Sequence, residues 1–153
     1  MKVLFLCTGN YYRSRLAEEF LRAMARGKAL DIICDSAALG IVPNPINVGP
    51  IRRELRDFMK QRNIYSSSAE RFPRKCTAGD IESSDIVIGM NEPEHRHMVE
   101  KQFPGCLADK VRYWDVPDME EDPGFIGPGL IEKNVEKLLK EIALIKCTEE
   151  CKS

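Results

Sequence analysis

The chain is predicted to fold as a three-layer α/β/α protein built on a four-stranded parallel sheet. Two observations carry this. Short apolar runs alternate with amphipathic stretches of helical period, and the first run, Val3 to Leu6, is continuous, as in a strand buried on both faces. A third supports it: the segment "ALGIVPNPINVGP" is dense in proline, glycine and asparagine and reads as an exposed connection.

The elements follow in order. Val3 to Leu6 is the first strand. From Ser14, the residues Leu16, Ala17, Phe20, Leu21 and Met24 recur at helical spacing, with Ser14 placed as N-cap and Gly27 as stop. Ile32 to Ser36 is the second strand, and residues 50 to 62 form a helix with Ile51, Leu55, Phe58 and Met59 on one face and Pro50 near its first turn. "SSDIVIGM" holds the third strand. Asn91 and Pro93 open a helix from Glu92 to Phe103, and Lys110 to Trp114 is a short fourth strand. A long helix from Gly129 to Lys146 closes the chain, with Leu130, Val135, Leu138, Leu139, Ile142 and Ile145 near one side.

At 153 residues the chain is read as a single domain, residues 1–153, able to bury a core without disulfides or metals. Hydrophobic residues make up 43%, charged residues 31%, and the formal charge is −1, so no general attraction to nucleic acid or membrane is expected. No apolar leader and no run of roughly 18 to 20 apolar residues is present, which points to a cytoplasmic protein. The six cysteines, at 7, 34, 76, 106, 147 and 151, are scattered and expected to be reduced, and Cys147 and Cys151 are assigned to a fraying helix end. No cofactor or metal site is expected.

In a parallel sheet, ligands bind beyond the strand C-termini, where Cys7 falls. Cys7 and Arg13 bracket five residues on a strand-to-helix turn, followed by Ser14. Such a turn aims unpaired backbone N–H groups and the positive end of a helix dipole at one point, which suits a tetrahedral oxyanion. Gly9 is expected to permit the bend. Arg13 would add a planar, permanently charged fork for two oxygens, and the same positive surroundings favour an ionised, nucleophilic sulfur at Cys7, with Ser14 donating to it.

"CTGNYYRS" after an N-terminal strand resembles the low-molecular-weight protein tyrosine phosphatase family, with its relatives the thioredoxin-coupled arsenate reductases. "DSA" after strand two, "NP" at 44–45, "DIVIGM" and an acidic "VPD...DP" loop before the last helix fall in the family's order. The resemblance implies a metal-free, two-step phosphate-monoester hydrolysis. Cys7 would attack phosphorus, giving a phosphocysteine, an aspartate would protonate the leaving oxygen, and water activated by that aspartate would release phosphate. Thr8, Gly9, Asn10, Tyr11, Tyr12 and Arg13 would cradle the phosphate, with Asn10 as the loop-shaping asparagine. Two aspartates compete as the acid: Asp118, after Val-Pro, is preferred, and Asp122, before Pro123 with Phe125 beyond, is the alternative.

Departures narrow the expectation. Tyr12 stands where many members carry a second cysteine, so reversible disulfide protection is not expected. Arg15 replaces a proline and is read as a solvated first-turn side chain. The 38–50 loop lacks the aromatic residue that stacks on phosphotyrosine in the eukaryotic enzymes. Tyr11 and Tyr12 are candidates to replace it, or to pack against the last helix instead. Members acting on phosphoarginine carry a small threonine at the position of Tyr11, which argues against that substrate. "MNEPEHRHM" lacks the relay cysteines of arsenate reduction, and His95 and His97 are read as surface residues. The expected partner is a phosphotyrosine protein or another phosphomonoester. The alternatives are a thiol-dependent arsenate reductase and a non-catalytic phosphate- or phosphopeptide-binding module.

Overall fold

The computed structural model describes residues 1–153. Four strands, β1 (Lys2–Cys7), β2 (Ile33–Ala38), β3 (Ile86–Gly89) and β4 (Val111–Tyr113), form one sheet in the order β2-β1-β3-β4, every pair parallel. The chain steps from β1 to one side to make β2 and returns to the other side for β3. This puts the topological switch point beside β1, and Cys7, opposite Ala38, ends that strand.

Residues of β1 alternate between two apolar layers. Val3, Phe5 and Cys7 join a 21-residue cluster with α1 (Arg13–Gly27), α2 (Arg53–Gln61) and α6 (Gly127–Lys152). Leu4 and Leu6 join a second cluster on the opposite face, with α3 (Ala78–Glu82), α4 (Glu92–Gln102) and α5 (Gly105–Ala108). Both faces of β1 are therefore dry, which explains its uninterrupted apolar run.

Two expectations change, and two short helices are added. Helix α1 begins at Arg13 and its N-cap is Tyr12, not Ser14, because the Ser14 hydroxyl is engaged with Cys7 and Asn10 instead of the helix's own N–H groups. The last helix runs from Gly127 to Lys152, longer at both ends than its apolar pattern. At its start the Asp122 carboxylate accepts the N–H groups of Ile126 (2.9 Å) and Gly127 (2.6 Å). Cys147 and Cys151 lie exposed within its last turns. The short helices α3 and α5 have too few residues for a periodic signature, although α3 carries a full capping box between Thr77 and Asp80. No helix is long and apolar enough to cross a membrane.

Candidate active site

The turn from β1 into α1 wraps around Cys7. The sulfur, 3% exposed as part of its residue, accepts the Asn10 N–H at 3.3 Å and lies 2.9 Å from Ser14 Oγ. Asn10 Nδ2 donates to that same Oγ at 2.9 Å, so the serine proton is free to point at sulfur. The backbone N–H groups of Gly9, Tyr11 and Tyr12 donate to no acceptor in the protein. They remain available to an anion seated over the thiol.

The left-handed bend falls at Asn10 (φ 51°), not at Gly9. Asparagine holds that conformation because its buried amide is fully employed. Nδ2 donates to Ser14 and Ser36 (2.9 Å each), and Oδ1 accepts from Arg71 (3.0 Å) and the Arg74 N–H (3.2 Å). Ser36 Oγ also accepts from Arg71 (2.8 Å) and donates to Glu18 (2.5 Å), so β2, α1 and the 71–74 segment lock the bend together. Gly9 has a different constraint: a Cβ there would lie 3.3 Å from Asn47 Nδ2, so glycine lets the 38–50 loop close over the turn. Gly40 is tighter still, with its absent Cβ 2.9 Å from the Thr8 carbonyl that its N–H bonds at 2.8 Å.

Arg13 is 3% exposed and gripped from behind. Glu94, in the first turn of α4, takes Nη1 and Nη2 at 2.8 Å each, and the Val116 carbonyl accepts from Nη1 at 3.1 Å. Nε and the second Nη2 hydrogen donate to no acceptor in the protein, and Arg13 lines the cavity described below. Glu94 also accepts from Thr8 Oγ1 at 2.6 Å, and His95 Nε2 lies 3.1 Å from that hydroxyl and 3.3 Å from Glu94. His95 Nδ1 accepts the Asn91 N–H at 3.0 Å, so the neutral ring carries its proton on Nε2, pointing at this cluster. Burial opposes ionisation of Glu94, but the hydrogen bonds from His95, Arg13 and Thr8 prevail and hold its carboxyl well below the usual range. His95 is fully buried, contrary to its reading as a surface residue, while His97 is exposed.

Arg15 also departs from expectation. It is 1% exposed, donates from Nη2 to the Ala69 and Arg71 carbonyls (2.7 Å each), and is pushed down to about 10 by burial and by Arg71. It ties the 69–71 segment beneath the turn, a role hidden from sequence because a first-turn arginine reads as solvated.

Above the turn lies a cavity lined by Cys7, Thr8, Gly9, Tyr11, Tyr12 and Arg13, by Asn44, Ile46, Asn47 and Arg52 from the β2–α2 connection, and by Asp118 and Glu120. Asp118 is 48% exposed and its Oδ1 is 3.9 Å from Arg13 Nε. Asp122 is not in this lining; it is 6% exposed and spent on the start of α6. The two tyrosines divide the roles left open between them. Tyr12, 5% exposed, belongs to the core, with its hydroxyl beside Gly127 at the start of α6 and without a protein partner. Burial, then Asp122, raises its pKa above the ordinary phenol value. Tyr11 stays at the rim, its hydroxyl 2.5 Å from the Val48 carbonyl. Burial pushes Cys34 and Cys76 up to about 12, which leaves them inert thiols away from the cavity.

A doubly wound sheet carrying a thiol, an arginine fork and free N–H groups at one strand end defines a class of protein able to hold a tetrahedral oxyanion against sulfur. Residues 2–120 match the family model of the low molecular weight phosphotyrosine protein phosphatases, and the chain belongs to that family; it is a phosphatase. It is 28% identical over 111 residues to a protein-arginine-phosphatase of Bacillus subtilis, covering 72% of this chain and 68% of that one. It is also 28% identical over 116 residues to a putative low molecular weight protein-tyrosine-phosphatase of Synechocystis, covering 73% and 69%. Among solved structures, Bacillus subtilis YfkJ superposes with a TM-score of 0.76 at 26% identity, covering 95% of this chain and 96% of that one. A low molecular weight protein tyrosine phosphatase from the same organism gives 0.76 at 24%, covering 94% and 97%. The expected fold, a four-stranded parallel sheet between helices, is the observed one.

Proposed function

We propose that the protein is a protein tyrosine phosphatase in which Cys7 is the nucleophile, Arg13 and the N–H groups of the turn hold the phosphate, and Asp118 is the general acid and base. The observation that carries this is the convergence of Cys7, Arg13 and Asp118 on one cavity, with the Ser14 hydroxyl 2.9 Å from the Cys7 sulfur. Cys7 Sγ forms a bond to phosphorus as the bond to the phenolic oxygen breaks, and Asp118 gives that oxygen its proton. Asp118 then takes a proton from water, whose oxygen bonds phosphorus as the S–P bond breaks, releasing phosphate and free thiolate. Asp118 is chosen over Asp122 because it lines the cavity, whereas Asp122 caps α6.

A flat aromatic leaving group is supported by the Tyr11 and Ile46 side chains at the mouth. A second reading, phosphoarginine, is favoured by the relative named a protein-arginine-phosphatase. The two are separated by kcat/KM on phosphotyrosine, phosphoserine and phosphoarginine peptides of one sequence. The proposal expects phosphotyrosine to lead, and a lead for phosphoarginine would overturn it. Arsenate reduction, assayed alongside, is expected to be absent.

A further inference from the structure

The phosphate cavity continues into a groove along the start of α2. Tyr11, Ile46, Asn47 and Arg52 line both spaces, so the groove is the outer part of one cleft. Ile46 and Val48 border it, 79% and 84% exposed, with the Tyr11 hydroxyl bonded to the Val48 carbonyl so that this edge is tethered to the turn around Cys7.

The cations of the cleft are not equivalent. Arg13 is neutralised by Glu94, Arg56 is held by Glu70 at 2.6 Å, and Arg53, without an ion pair, is exposed and lines only the outer groove. Arg52, at the junction of cavity and groove, has no carboxylate within ion-pair distance; its Nη1 lies 2.7 Å from the Met119 sulfur, a weak acceptor. Acidic residues are close at hand: Asp118 and Glu120 line the cavity, and Glu54 and Asp57 line the outer groove, yet none of them pairs with Arg52. A half-buried arginine beside a phosphate site, given only a thioether to donate to, has its charge-assisted bonds still to make.

We propose that Arg52 is a specificity residue that pairs with an acidic side chain immediately flanking the phosphorylated residue of a protein substrate, while the exposed Ile46 and Val48 edge receives the flanking chain. This rests on the phosphatase reading of the same site but concerns selection, not chemistry. Arg52 lies outside the Cys7–Arg13 turn and lines the outer groove as well as the cavity, the place open to a residue next to the phosphorylated one.

The test uses three phosphotyrosine peptides, identical except for Asp, Asn or Lys at the positions next to the phosphotyrosine, together with phenyl phosphate. Affinity is measured by fluorescence anisotropy on a Cys7→Ala background, and kcat/KM on the protein with Cys7 intact. The Asp peptide is expected to bind about fivefold tighter than the Asn peptide, the upper end for one ion pair at a half-exposed site. Arg52→Gln should bring that ratio to about one, and Arg52→Glu should shift the preference to the Lys peptide. An Asp/Asn ratio near one in the parent protein, or a ratio that neither substitution moves, overturns the inference. An equal loss on phenyl phosphate and all peptides in Arg52→Gln also overturns it, by placing Arg52 on the reacting phosphate. If the Asp preference stands in binding but no substrate is hydrolysed, the hydrolase reading fails and this one holds.

Discussion

The floor and the rim of the cleft are built differently. In the floor, every polar valence of the Asn10 side chain is used: Ser14 links it to the Cys7 sulfur, and Ser36 and Arg71 are bonded to each other and both to Glu18. In the rim, Ile41, Ile46 and Val48 stand in solvent and Arg52 has only a sulfur to donate to. A net of mutually satisfied buried groups has one low-energy arrangement, whereas an exposed loop can change its side chains at little cost. The floor therefore suits chemistry shared by all substrates, and the rim suits choosing among them.

The comparison can be broken at the floor first. Cys7→Ala is expected to abolish turnover on every substrate alike, and any substrate that survives would separate floor from chemistry. Asp118→Asn should lower kcat by about 100- to 10,000-fold on phenyl phosphate and much less on an ester with a more acidic alcohol, since a general acid matters most for a poor leaving group. An equal fall in Asp122→Asn alone, with Asp118→Asn unaffected, would make Asp122 the acid.

Arg15→Ala leaves the Ala69 and Arg71 carbonyls without their donor and opens a cavity under the turn, so a loss of roughly 3 kcal/mol in urea unfolding is expected. A loss below about 0.5 kcal/mol, the range of surface substitutions, would return Arg15 to the solvated role its position suggests.

Glu94 supplies a pH test. Its folded pKa is depressed by His95, Arg13 and Thr8 against the opposing effect of burial, so its contribution is complete above the unfolded value of about 4.3 and is lost as pH falls toward the folded one. Glu94→Gln should therefore lower the urea midpoint at neutral pH, and the gap from the parent protein should narrow below about pH 4. A gap constant with pH would mean that the carboxylate charge is not what holds Arg13. The smallest effect is expected at Tyr12, whose buried hydroxyl has no partner: Tyr12→Phe should leave stability unchanged or raise it by up to about 1 kcal/mol.

What could be read from the sequence follows the same division. The strand, the turn and the helix after it are contiguous, and the anion-binding logic of residues 7 to 14 is local. Glu94 is 81 residues from Arg13, and its surroundings, "NEPEHRHM", show only an ordinary helix start. Arg15, Arg71 and His95 were hidden for a related reason. Charged and polar residues are usually solvated, and only the packing of the helices around the turn makes burial of Arg15 and His95, and the bonding of half-buried Arg71 to Ser36, favourable. Ser14 shows the limit of capping rules, because a hydroxyl that could cap a helix was drawn to a sulfur and an amide instead.

The most direct test of the account is to stop turnover within milliseconds in acid and locate the phosphoryl group by peptide mass spectrometry. One added phosphoryl mass is expected on the peptide containing Cys7, accumulating with phosphotyrosine substrate and absent in Cys7→Ala. A phosphoryl group on any other residue, or turnover that persists in Cys7→Ala, would contradict it.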